Sequence, residues 1–123
     1  MPQGILGLPR LTNIRPFSRT LPDTFYRAEH ESNTREVEQF GFRPQEASEC
    51  PSNRGVHVFT TPEAAEQWAQ GIRGDARVWK IEGLDKDKLT KDYYYYLPLP
   101  KAYVYCTTTG ISQDKITDTG EVL

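Results

Sequence analysis

Apolar positions come in short bursts along this chain, and the spacing within each burst predicts an element. Val56-His57-Val58-Phe59-Thr60 is rich in β-branched and aromatic residues and alternates, which predicts a strand. A helix start follows at once. Thr61 can cap it, Pro62 suits the first helical position, and Glu63 complements the helix dipole. That helix is predicted to run through Ala69 and stop near Gly71, with Ala65, Trp68 and Ala69 as its apolar face. Upstream, Thr24-Phe25-Tyr26-Arg27 predicts a short strand. Arg35 to Phe40 predicts a short helix, capped by Asn33 or Thr34 and ended by Gly41, with Val37 and Phe40 facing the core and Phe42 packing after the turn. Downstream, Arg77-Val78-Trp79-Lys80-Ile81 predicts a strand with Val78 and Lys80 on one face and Trp79 and Ile81 on the other. Ala102-Tyr103-Val104-Tyr105-Cys106-Thr107 predicts another. Ile111 and Ile116 flank a turn-rich link, and Glu121-Val122-Leu123 begins a last strand.

Between these bursts the chain is polar or irregular. Residues 1–20 hold Pro2, Gly4, Gly7, Pro9 and Pro16 and read as an irregular lead-in to a domain over 21–123. Residues 45–54 form a polar loop, and 83–91 a charged connection. Pro98 and Pro100 restrict the tyrosine-rich stretch around Tyr93 to Tyr96 to an edge. Strand, helix, strand, helix, then strands is an α+β order with a mostly antiparallel sheet.

Composition narrows the function classes. The 123 residues make one domain, and a hydrophobic share of 37% implies a modest core. Fifteen basic residues against seventeen acidic ones leave a net charge of -2, so nucleic acid is not an expected partner. Apolar runs are too short for a membrane span, and Met1 to Arg10 lacks the pattern of a signal peptide. The expectation is a soluble protein, compatible with a secreted effector. Cys50 and Cys106 lack metal-ligand spacing, so no metal is expected; a disulfide and two free thiols both stand open.

Two segments carry the candidate chemistry. The first is Phe25-Tyr26-Arg27-Ala28, followed by a short helix and Phe40-Gly41-Phe42. The second is Val58-Phe59-Thr60-Thr61, opening a helix. Together they resemble the cholera- and pertussis-type ADP-ribosyltransferases, over roughly residues 24–81. The resemblance implies a small fold with a split, mostly antiparallel β-sheet core and flanking short helices. It implies NAD as substrate, without a metal, and a protein acceptor. Arg27 would anchor NAD, since an arginine fork suits a pyrophosphate. Tyr26, Ala28, Thr60 and Thr61 would complete the binding site. Cleavage of the nicotinamide bond passes through an oxocarbenium-like state that a carboxylate stabilises.

The family's glutamate strand is where this chain departs. No acid lies in Ala102-Tyr103-Val104-Tyr105-Cys106, so Glu121 is the leading candidate for the catalytic acid beside Arg27, with Thr119 in place of the family's first Glu or Gln. Glu82 and Asp92 are alternatives. The expected activity is NAD-dependent mono-ADP-ribosyl transfer or NAD hydrolysis, in an effector or toxin domain. The alternative is the same fold without turnover, used as a protein-interaction module with the tyrosine-rich 93–105 region as its contact surface. A ribonuclease toxin is disfavoured by the lack of a basic patch. For single residues, plainer roles compete: Thr61 as a helix cap, Trp68 and His57 as core, Arg27 as a strand surface residue.

Overall fold

A computed structural model describes residues 21–44, 55–72, 74–91 and 102–123. The lead-in 1–20, the loop 45–54 with Cys50, and most of the tyrosine-rich segment lie outside the described residues. Six strands form the sheet: β1 (Thr24–His30), β2 (Val56–Phe59), β3 (Ala76–Glu82), β4 (Thr90–Lys91), β5 (Val104–Thr107) and β6 (Ile116–Val122). Two helices accompany them, α1 (Thr34–Phe40) and α2 (Pro62–Ala69). The sheet order is β4-β5-β2-β1-β3-β6, and every pairing is antiparallel. The class is therefore α+β, as the element order predicts.

The ladders are unequal. β1 pairs with β3 over seven register positions, from Thr24↔Glu82 to His30↔Ala76. β2 pairs with β5 over all four of its residues. Between β1 and β2 there is a single register pair, Tyr26↔Phe59. The sheet is continuous, yet its two three-stranded halves meet at a narrow seam. The seam positions the candidate site.

Strand alternation separates two cores. Ala28, Phe59, Val78 and Val104 pack under Ala64, Ala65 and Ala69 of α2. Phe25, Val56, Val58, Trp79 and Ile81 turn the other way and pack with Val37 of α1, Phe42 and Ile111. The small residues on the α2 side let the helix lie close to the sheet. Larger side chains fill the α1 side, with Phe42 edge-on to Trp79 at 6.4 Å between ring centroids.

Helix boundaries follow the predicted signals. Thr61 Oγ1 accepts the Ala64 N–H at 3.1 Å, with Pro62 in the first turn. Gly41 ends α1 at φ 76°, and its N–H donates to Val37 O. Asn33 occupies the N-cap position of α1 without a capping bond, its Nδ2 donating to Glu29 Oε1 at 3.2 Å. Thr34 Oγ1 instead donates back to Glu31 in the preceding 3-10 turn. One expectation fails at this helix: Phe40 is 47% exposed rather than facing the core with Val37. Two turns of helix rest on the sheet through Val37 alone, and the Arg43 guanidinium covers the Phe40 ring at 4.7 Å.

The last strand is longer than Glu121-Val122-Leu123 and starts at Ile116. Its register shifts between Arg77 and Trp79, and Gly120 takes φ 82° in that irregular stretch. Arg77 clasps three elements, with paired contacts to Glu31 in the 3-10 turn and to Asp118 on β6. Of the two thiol readings, the disulfide is the one present: Cys106 is fully buried and disulfide-bonded.

Candidate functional site

Arg27 sits at the seam. It shares the α1 face of β1 with Phe25 and Glu29, because side chains two apart on a strand point the same way. Nη1 donates to the backbone carbonyl of His57 on β2 at 2.8 Å. Nη2 meets Glu29 Oε2 at 3.2 Å. The guanidinium also lies over the Phe42 ring, 5.2 Å from its centroid. With β1 and β2 joined at one register pair, the side chain supplies a cross-strand hydrogen bond where the ladder is thin. Arg27 Nε is buried without a hydrogen-bond acceptor among the described residues.

A cavity of about 100 Å³ opens beside the guanidinium, walled by Arg27, Glu29, Asn33, Glu36, Phe42 and Arg43 among others. Its formal charges cancel, two arginines against two glutamates. Sites for drug-sized ligands and cofactors run from roughly 300 to 1,000 Å³. This one suits a few water-sized groups rather than a dinucleotide.

The other residues expected to hold NAD are dispersed. Tyr26 and Ala28 alternate away from Arg27 onto the α2 side, where Ala28 is buried in the core. Thr60 Oγ1 accepts the Tyr103 N–H at 2.9 Å and Thr60 N–H donates to Tyr103 O, which joins β2 to the approach of β5. Thr61 caps α2. His57 is buried and stacks on Trp68 with ring centroids 5.9 Å apart, so both rings belong to packing on the α2 side. His30 Nδ1 accepts the Ser32 N–H in the 3-10 turn.

Glu121 is not beside Arg27. It lies on β6, two strands from β1 in the sheet, and interacts with Glu66 of α2. Arg27 faces α1 and Glu121 faces α2, so the sheet separates them. Of the alternative acids, Glu82 is exposed at the end of β3 with Lys80 Nζ at 4.0 Å, and Asp92 lies outside the described residues. The carboxylate that does accompany Arg27 is Glu29, legible in the sequence as its i+2 neighbour on the strand.

The Glu66–Glu121 pair has a chemical consequence. A hydrogen bond that protonated Glu66 donates to Glu121, then burial, then the charges of Glu121 and Glu63 push the Glu66 carboxyl above its ordinary range. A carboxyl raised in the folded state holds a proton there that the unfolded chain has already lost. Its stabilising contribution is complete below the ordinary carboxylate pKa and disappears as pH rises through the raised value. Glu121→Gln should therefore stabilise the protein at neutral pH by about 0.5 kcal/mol, after allowance for solvent screening, and by nothing at acid pH where Glu66 is protonated. Denaturant midpoints at the two pH values check this; equal effects at both would remove the pair from the account. Glu31 and Asp23 move oppositely, held low by Arg77 and Lys86, and their contributions are lost as pH falls.

No protein-family model matches the chain, and no curated protein sequence matches it.

Proposed function

We propose that this chain is an ADP-ribosyltransferase-like domain that works as a protein-interaction module and does not turn NAD over. One observation carries the reading: Arg27, the expected NAD anchor, turns one donor of each terminal nitrogen to His57 O and Glu29, and its Nε is buried, while Glu121 lies on the opposite face of the sheet against Glu66. An anchoring arginine needs free donors aimed at a phosphate, and a catalytic acid must reach the same bond. The small, charge-balanced cavity agrees with this. A contact surface at the β4–β5 edge fits the interaction role. Tyr103 is 44% exposed there, with Lys91 Nζ 4.2 Å from its ring centroid, and tyrosine is enriched at interfaces.

An enzyme reading keeps one specific support, the adjacency of Arg27 and Glu29 at the seam. That pair supplies the two charges which a pyrophosphate and an oxocarbenium-like cation require. An NAD titration followed by amide shifts separates the two readings. The interaction module gives no saturable shifts at Phe42 and Val56, the seam residues. Arg27→Ala then lowers stability by about 2 kcal/mol through the lost cross-strand hydrogen bond, leaving the NAD response nil. Saturable shifts that vanish in Arg27→Ala would favour the enzyme.

A further inference from the structure

Two connections cross the α1 side of the sheet. The β3–β4 connection brings Leu84 and Leu89 onto that core, and the β5–β6 connection brings Ile111. Between them lies a cavity of about 250 Å³ with these three side chains in its walls. Its remaining wall is largely polar and carries two lysines against one aspartate. Lys88 and Lys115 both line it, and neither forms an ion pair with a described residue. Thr107 lines it too and is 3% exposed. Its Oγ1 accepts the Thr109 N–H at 3.0 Å, which leaves the hydroxyl proton to donate elsewhere. The opposing charge is Asp85, whose Oδ1 accepts the Asp87 N–H and caps the 3-10 turn Lys86–Lys88.

Two ammonium groups and a buried hydroxyl beside an aliphatic wall form a distinct recognition pattern. They match a ligand with an anionic head and a short apolar tail. At roughly 30 Å³ per water-sized group, the cavity holds about eight such groups. That is too few for a nucleotide and about right for a carboxylate with a six-carbon chain. We infer that this cavity binds a small amphipathic anion, a short-chain carboxylate or an alkyl phosphate monoester. Lys88 and Lys115 pair with its head, Thr107 donates to it, and Leu84, Leu89 and Ile111 take the tail.

Sodium hexanoate, hexyl phosphate, 1-hexanol and inorganic phosphate, titrated separately into the full chain, test this by amide shifts. The two amphipathic anions should give saturable shifts at Leu89, Gly110 and Ile111, with Kd on the order of 1 mM for ligands of this size. Whichever binds more tightly identifies the head group. Hexanol and inorganic phosphate should each bind about tenfold more weakly, and the Lys88→Gln/Lys115→Gln double variant should weaken hexanoate by about tenfold or more. Shifts that do not saturate would overturn the inference. So would equal binding of hexanol, or unchanged affinity in the double variant. The cavity shares no lining residue with the one beside Arg27, so the effect of the lysine variants is read separately from how NAD behaves.

Discussion

A Gly41→Ala variant should lose about 4 kcal/mol of stability or more, an exceptional loss for one methyl group. Two penalties combine. Gly41 takes φ 76° and ψ -159°, a region that residues with a Cβ almost never occupy, at a cost of about 1–3 kcal/mol. An added Cβ would also lie 2.0 Å from Ile111 O and 3.0 Å from Gln113 N, both backbone atoms that cannot rotate aside. Ile111 O accepts the Phe42 N–H at 2.9 Å, and the reciprocal bond is 2.8 Å. Making room therefore breaks the bridge that joins the end of α1 to the β5–β6 connection, adding about 1–3 kcal/mol. Gly120→Ala is the internal control. Gly120 has φ 82°, but an added Cβ meets nothing within 4 Å. It should cost about 1 kcal/mol, the conformational part alone. Denaturant midpoints of the two variants separate backbone conformation from the clash. Equal losses would mean that the approach of Ile111 to Gly41 does not matter.

Reduction of the disulfide at Cys106 should have the next largest effect, about 2–5 kcal/mol for a small domain with a modest core. Cys106 sits on β5, paired with His57 across the β2–β5 ladder, and is fully buried. The disulfide therefore anchors the middle of a three-stranded half that meets the rest of the sheet at one register pair. Burial should also make it resistant to mild reductant in the folded state. Unfolding curves with and without a strong reductant test the size of the effect, and thiol counting under native conditions tests the protection. A midpoint unmoved by complete reduction would contradict this role. The sequence pattern left both the disulfide and free thiols open, with free thiols the plainer reading, because spacing alone does not bring two cysteines together.

Much of the fold was legible because local rules agree with the tertiary arrangement. The Val56 to Phe59 strand, the Thr61-Pro62 helix start and the opposite facing of Val78 and Trp79 all follow from periodicity and capping, and packing preserves them. The site was less legible, for two physical reasons. Strand alternation sends Tyr26 and Ala28 to the face opposite Arg27, so a contiguous motif does not gather into one cleft. The partners of Arg27 and Glu121 depend on register: His57 O faces Arg27 because β1 and β2 meet at Tyr26↔Phe59, and Glu121 reaches Glu66 through the placement of β6 beside β3. Neither register can be read from a strand taken alone. Phe40 shows the same limit, since helical spacing does not reveal how shallowly a two-turn helix will sit.

On the reading proposed above, the fold has the arginine strand without assembling a site for NAD cleavage. Nicotinamide release from NAD, measured with the wild-type chain, Arg27→Ala and Glu121→Gln side by side, tests it most directly. No release above background is expected in all three, with Glu121→Gln no less stable than wild type at neutral pH. Release by the wild type that disappears in both variants would contradict it, because Arg27 and Glu121 would then have to act on one bond from a common cleft.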